Sequence, residues 1–142
     1  RERFAQELKK LGVQHVIRYS YPSTVDRINI YQAARKAMRR AVGMFRQDRK
    51  SIVLVDGPAK IAGVTIQQQP IVKGDRTVFA IACASVLAKV YRDRMMTRYA
   101  KKFPGYGFEE HKGYGTKLHQ TRLAALGPSP IHRRSFHFHM ST

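Results

Sequence analysis

Apolar and polar positions along the chain follow two different periods, which predict helices and strands in turn. Residues 77–96 (TVFAIACASVLAKVYRDRMM) form an apolar, alanine-rich run that is too long for a strand, so they predict a helix. Helical spacing also marks residues 1–11, 24–45 and 117–126. The chain therefore has two long predicted helices, 24–45 and 77–96, and a shorter one towards each end.

Segments with the composition of strands lie between these helices. Residues 13–21 (VQHVIRYSY) are β-branched and aromatic with a period of two, and residues 51–57 (SIVLVDG) contain an unbroken apolar run typical of a central strand covered on both faces. Residues 65–72 predict a further strand. Strands that alternate with helices indicate an α/β fold with a partly parallel sheet. We expect residues 1–142 to belong to one domain, because no repeat or linker interrupts them.

Charge is the dominant feature of the composition. Lys and Arg number 27 against 9 Asp and Glu, which gives a formal net charge of +18. A polyanion is the expected partner, and nucleic acid is favoured over a membrane because no uncharged apolar run approaches the roughly 20 residues of a spanning helix. The alternative is that the charge only aids solubility. The single cysteine, Cys83, excludes an intrachain disulfide and indicates a reducing compartment.

Two carboxylates stand out by position. Asp56 ends the apolar strand, at the edge where ligands gather in α/β sheets, although Asp-Gly also suits a simple turn. Asp93 borders the buried face of the long helix near the end where the helix dipole disfavours an acid. An ion pair with Arg92 or Arg94 is the structural alternative. Carboxylates in a strongly basic protein are suited to Mg²⁺ or Mn²⁺ with a phosphate substrate. Asp75, just ahead of the helix, suits the positive end of its dipole.

The glycine-rich segment 111–116 (HKGYGT) contains one tyrosine, Tyr114. Several histidines follow it in the sequence. Tyr114 is suited to stack on a sugar or a base, or alternatively to fill the turn against the core. His132, His137 and His139 have neither a cysteine partner nor ligand spacing on a helix, so a zinc site is disfavoured.

Several segments, in order and at similar spacing, resemble the ribonuclease HII family. They are VLVDG (53–57), IVKGD (71–75), IACASVLAKVYRDRMM (81–96), FPGYGFEEHKGYGT (103–116), GPSPIHRRSF (127–136) and the helical NIYQAARKAMRRAV (29–42). The resemblance implies an α/β, ribonuclease H-like mixed sheet flanked by helices. It also implies a cytoplasmic enzyme, monomeric when complete, that uses Mg²⁺ or Mn²⁺ to cleave RNA paired with or embedded in DNA, leaving a 3′-hydroxyl and a 5′-phosphate.

The resemblance assigns roles to individual residues. It implies that Asp56 and Asp93 are catalytic metal ligands, that Asp75 supports the site, and that Tyr114 stacks where a ribonucleotide meets DNA. The remaining motif positions are suited to phosphate contact or to support of the site: Lys73, Lys89, His132 and Arg133.

One departure from the family pattern is large. The opening motif Asp-Glu-x-Gly-Arg-Gly, which supplies two further carboxylates and grips the ribose 2′-hydroxyl, is absent from these residues. The first strands of the fold accompany it, so we expect the chain to be the C-terminal part of one catalytic domain, with exposed strand edges and little or no activity by itself. The alternative is a non-catalytic, basic RNA-binding or ribonucleoprotein structural protein derived from the same fold.

Overall fold

The computed structural model describes residues 1–46 and 50–136. Its elements follow the order α1 (Glu2–Lys10), α2 (Pro22–Val42), β1 (Ile52–Asp56), β2 (Gln67–Ile71), α3 (Gly74–Thr77), α4 (Phe79–Lys102), α5 (Phe108–His111) and α6 (Lys117–Leu126). Helices precede and follow a parallel pair of strands, so the predicted α/β class is confirmed. No helix in the described ranges is both long and apolar enough to cross a bilayer.

The sheet consists of β1 and β2, which pair in parallel with Ile52 opposite Gln67 and Asp56 opposite Ile71. Parallel pairing places the carboxyl ends of both strands at the same edge, so Asp56 lies beside the turn that follows β2. The predicted burial of β1 on both faces is wrong, since Val55 is buried but Ile52 is 45% exposed. The two residues lie at opposite ends of β1: Val55 precedes Asp56, which contacts Gly74 at the start of α3, whereas Ile52 begins the strand.

The structure contradicts the predicted strand at residues 13–21. These residues form no strand, and they lie instead against helices: Ile17 packs against the core, and Tyr19 stacks on Tyr91 of α4 with 6.2 Å between ring centroids. A strand needs a neighbouring strand for its main-chain groups, and β1 and β2 pair only with each other in the described part of the chain. The apolar side chains of the segment are therefore buried by helix packing.

The core forms where α1 packs on α4. Ala5 and Leu8 of α1 meet Cys83, Leu87 and Val90, which recur at helical spacing along α4. This contact accounts for the long apolar run in the sequence, and it makes Cys83 a core residue. The helix continues to Lys102, beyond the apolar run, and it carries functional candidates along its length.

Asn29 interrupts α2 and gives the first testable prediction. Its φ of 63° and ψ of 167° are strained for any residue except glycine, and its Oδ1 accepts a hydrogen bond from the Gln32 amide at 3.0 Å. Asn29→Ala removes this cap and keeps the strain, so we expect it to lower the free energy of unfolding by about 1–2 kcal/mol in urea denaturation. Asn29→Gly relieves the strain and should cost less. A glycine variant less stable than the alanine variant would contradict this explanation.

Candidate functional site

The carboxyl end of β1 and the turn after β2 hold the first set of predicted residues, which we call the strand-end group: Asp56, Lys73, Gly74 and Asp75. The Gly74 amide donates a hydrogen bond to Asp56 Oδ1 at 3.0 Å. Lys73 has the left-handed φ of 56°, and α3 begins at the next residue, so the chain turns sharply around the Asp56 carboxylate. This turn brings Asp75, in the first turn of α3, to the same sheet edge as Asp56.

Gly74 is the residue that permits this close approach. A Cβ atom at Gly74 would lie 2.6 Å from Ile81 Cδ1, at the start of α4, and 3.6 Å from Asp56 Oδ1. Any side chain here would force Ile81 to move, because carbon atoms at van der Waals contact lie about 3.5–4.0 Å apart. The glycine between Lys73 and Asp75 was the sequence signal for this contact, and it was not used in predicting the site.

The two acids of the strand-end group share an unusual electrostatic property. Asp56 and Asp75 are both exposed, and neither forms an ion pair with a Lys, Arg or His in the described ranges. The chain carries a net charge of +18, so basic partners are abundant. Carboxylate oxygens at one sheet edge are ligands that hard divalent cations prefer, and these acids therefore fit Mg²⁺ or Mn²⁺ chemically.

Three further predicted residues contact one another where α4 meets the segment 111–116, and we call them the tyrosine group: Lys89, Asp93 and Tyr114. Lys89 Nζ donates to Asp93 Oδ1 at 2.5 Å and lies 4.8 Å from the centroid of the Tyr114 ring. Burial by itself lowers the pKa of Lys89, but its hydrogen bonds to Asp93 and Tyr114 outweigh this effect and leave the pKa above its ordinary value. The group therefore presents a charged ammonium beside an aromatic ring.

The tyrosine group answers two questions that the sequence left open. Tyr114 is 55% exposed, so it does not fill the turn against the core. Asp93 forms its ion pair with Lys89, one helical turn away, and not with Arg92 or Arg94. Arg94 binds Glu2 of α1, and Arg92 Nη2 donates to the Lys112 carbonyl at 3.3 Å.

The strand-end group and Asp93 lie at different heights along α4. Gly74 approaches Ile81 in the first turn of the helix, and Asp93 follows more than three turns later, about 18 Å along the helix axis at 1.5 Å per residue. In the described ranges no three His, Cys, Asp or Glu side chains gather as a metal site. The structure thus places Asp56 next to Asp75, whereas it places Asp93 with Lys89.

Three histidine rings contact one another next to the main chain of Tyr114, and we call them the histidine column: His111, His119 and His132. The His111 and His119 rings stack with centroids 4.1 Å apart, and His119 Nε2 lies 3.0 Å from His132 Nε2. His119 is only 2% exposed. The predicted site residue His132 thus packs with other histidines and not in the strand-end group. The sequence did not single out His111 or His119.

Main-chain partners fix the protons of the histidine column. The Ser129 amide donates to His132 Nδ1 at 2.9 Å, so the His132 proton is on Nε2 and is donated to His119 Nε2. His119 Nδ1 in turn donates to the Tyr114 carbonyl at 2.9 Å. His111 accepts from the Gly113 amide at Nδ1 and donates from Nε2 to the Tyr106 carbonyl. In this pattern His119 and His132 each donate from one ring nitrogen and accept at the other.

A pH-dependent stability follows from this arrangement. Burial, followed by repulsion from neighbouring rings, holds the pKa values of His119 and His132 below the ordinary value. The unfolded chain therefore takes up protons first as the pH falls, and the free energy of unfolding should be highest above about pH 6.5 and decline below it. Urea denaturation between pH 8 and pH 5.5 measures this slope. A slope of opposite sign would contradict the expectation.

The last predicted residue, Arg133, lies in the segment after α6. It is half-buried, with its guanidinium 4.8 Å from the Phe136 ring centroid, and burial together with repulsion from Arg92 lowers its pKa. Asp26 of α2 accepts hydrogen bonds from the Arg134 and Ser135 amides, which anchors this segment. His137 and His139 lie outside the described residues.

These features define a strongly basic α/β protein with exposed acids at the carboxyl end of a parallel strand pair. The profile of the family described as Ribonuclease HII matches residues 1–139. The chain belongs to the ribonuclease HII family, and its α/β architecture is consistent with the ribonuclease H-like fold of that family.

Individual relatives support the same assignment. The ribonuclease HII of Carboxydothermus hydrogenoformans is 43% identical over 136 residues, which cover 96% of this chain and 58% of the relative. That of Chlorobium phaeobacteroides is 43% identical over 136 residues, covering 96% and 66%. That of Geobacter sulfurreducens is 52% identical over 112 residues, covering 79% and 51%. The chain thus spans between half and two thirds of the length of these curated relatives.

Proposed function

We propose that this chain is the C-terminal part of a ribonuclease HII catalytic domain. The full-length protein would be an endonuclease that cleaves RNA in RNA/DNA hybrids and at ribonucleotides embedded in DNA. The observation that carries the proposal is the strand-end group, where Asp56 and Asp75 are exposed and form no ion pair within residues 1–46 and 50–136, in a chain of net charge +18. Acids without basic partners in so basic a protein are suited to a divalent cation.

Asp56 and Asp75 would hold Mg²⁺ or Mn²⁺ through carboxylate oxygens, while the Gly74 amide orients Asp56 by its hydrogen bond to Oδ1. When bound, the cation activates water for attack on a phosphodiester and stabilises the charge of the leaving oxygen, giving a 3′-hydroxyl and a 5′-phosphate. Their exposure at one sheet edge supports this role for Asp56 and Asp75. The ligand role of Asp93, which the family resemblance implies, stays a prediction.

Tyr114 and the basic residues around it would bind the substrate. The exposed Tyr114 ring can stack on a sugar or base, and Lys89 beside it offers a charged donor to a phosphate. Asp93 holds that ammonium in place. Lys73 extends the positive surface next to the strand-end group, and Arg133 supports the site from the segment after α6. We further propose that the full-length protein acts as a cytoplasmic monomer.

A cleavage assay tests the proposed function. The full-length protein should cut a duplex DNA with one embedded ribonucleotide when Mg²⁺ or Mn²⁺ is present, and EDTA should abolish the cut. Residues 1–142 by themselves should cut very weakly or not at all, because two carboxylates rarely hold Mg²⁺ in a working geometry. An all-DNA duplex is the matched control. Failure of the full-length protein to distinguish the two duplexes would refute the proposal.

A second candidate function is binding of RNA without cleavage. The net charge of +18 favours it. A binding protein of this kind should bind RNA with an affinity that falls steeply with salt. That affinity should not change when Asp56 is replaced by Asn. If the protein is the proposed endonuclease, the same replacement should abolish metal-dependent cleavage.

A further inference from the structure

The histidine column connects the segment after α6 to the Tyr114 turn through an unbroken series of hydrogen bonds. The series runs from the Ser129 amide through His132 and His119 to the Tyr114 carbonyl, with lengths of 2.9, 3.0 and 2.9 Å. His119 is only 2% exposed, so solvent cannot replace the missing partner if one bond is lost. The column therefore acts on the main chain of Tyr114, whose ring is 55% exposed.

Hydrogen bonds from neighbouring residues restrain the Tyr114 turn together with His119. Glycines flank it on both sides, and Gly113 has a φ of 80°. The Tyr114 amide donates to the His111 carbonyl, and the Tyr114 carbonyl accepts from the Thr116 amide as well as from His119, each at 2.8–2.9 Å. Glycine neighbours allow many main-chain conformations, so these bonds restrict where the Tyr114 ring points.

We propose that His119 is a positioning residue for Tyr114. Its neutral ring, held by His132 on one side, donates to the Tyr114 carbonyl on the other and so fixes the direction of the exposed ring beside Lys89. The proposal rests on the proposed function only in assuming that the Tyr114 ring stacks on a sugar or base of the substrate. The positioning itself concerns only the described contacts of this chain.

The neutral state is required by the geometry. A second proton on His119 Nε2 would face the proton on His132 Nε2 across 3.0 Å, and two donors cannot share a hydrogen bond. His111, stacked on the opposite face, would also be repelled if it were charged. A cavity of about 540 Å³ lies next to the column, and no carboxylate among the described residues lines it. Besides the histidines, its titratable groups are arginines and tyrosines: Arg92, Arg133, Arg134, Tyr19, Tyr21 and Tyr99. The nearby charges therefore oppose an imidazolium.

Two variants at position 119 separate the hydrogen bond from the packing. His119→Phe keeps the ring and its stacking on His111 but removes both hydrogen bonds. His119→Asn removes the ring but places an amide donor near the position of Nδ1, within reach of the Tyr114 carbonyl. Circular dichroism and urea denaturation of each variant show whether it is folded.

Amide hydrogen exchange of residues 113–116 in the full-length protein is the first measurement. His119→Phe removes the hydrogen bond to the Tyr114 carbonyl, so the turn that contains the Tyr114 and Thr116 amides should open more often. Exchange of both amides should accelerate by about tenfold, the factor expected for the loss of one hydrogen bond. His119→Asn should restore most of the protection. Equal exchange in both variants and in the unchanged protein would overturn the proposal. This arm does not depend on cleavage, so it stands even if the proposed function fails.

A double-mutant cycle on the cleavage rate is the second measurement. His119→Phe should lower kcat/KM on a duplex with one ribonucleotide by about tenfold, and His119→Asn should recover most of this loss. In a Tyr114→Ala background, His119→Phe should have no further effect, because the ring to be positioned is gone. If His119→Phe lowers kcat/KM equally in both backgrounds, its role is structural and the proposal is wrong.

Discussion

Replacing Asp56 by Asn in the full-length protein is expected to reduce cleavage of a ribonucleotide-containing duplex by at least about a hundredfold at saturating Mg²⁺. The amide oxygen of Asn can still accept the hydrogen bond of the Gly74 amide, which Asp56 accepts at 3.0 Å, so the turn should remain intact. The variant removes the negative charge and keeps the shape. A loss of activity without a loss of stability therefore reports the electrostatic role of the carboxylate.

The same experiment distinguishes the roles of the other two acids. Asp75→Asn should match the loss of Asp56→Asn, because Asp75 lies at the same sheet edge. Asp93→Asn should cost less if Asp93 only holds Lys89 through their 2.5 Å contact, and as much if Asp93 is a metal ligand. The exposed acid Glu110 on α5 provides the control, as Glu110→Gln should cut normally. Normal cleavage by both Asp56→Asn and Asp75→Asn would show that the strand-end group does not bind the catalytic metal.

The largest effect on stability is expected at Phe108. Its side chain is 1% exposed, it stacks on Tyr106 with ring centroids 5.2 Å apart, and the His111 and His119 rings meet it edge-on at 5.7 and 5.9 Å. Phe108→Ala removes a buried ring from this cluster and leaves a cavity. We expect the free energy of unfolding to fall by about 3–5 kcal/mol.

Urea denaturation measures this loss, and Phe79 supplies the matched control. Phe79 begins α4 and is 73% exposed, with one edge-on contact to Phe4 at 6.4 Å. Phe79→Ala should therefore change the free energy of unfolding by less than about 1 kcal/mol. Similar losses for the two variants would show that the Phe108 cluster does not form the buried centre of the C-terminal half.

The short apolar runs show where sequence reasoning succeeded and where it failed. The parallel strands β1 and β2 and the long helix α4 follow from their own period and composition, and all three are present. Residues 13–21 have an equally strong strand pattern, yet they pack on α4 as irregular chain. Periodicity records which side chains seek burial, whereas strand formation also needs a partner for the main chain, and that partner is not encoded locally.

The candidate site divides in the same way. Composition and motif order determined by themselves that the protein is basic, α/β and a relative of ribonuclease HII, and they selected Asp56 and Tyr114. Only the tertiary structure decided that Asp56 lies next to Gly74 and Asp75, that Asp93 pairs with Lys89, and that neutral histidines support the Tyr114 turn. The physical reason is that charge and apolar period are properties of each residue, whereas a contact between distant residues depends on how the elements pack.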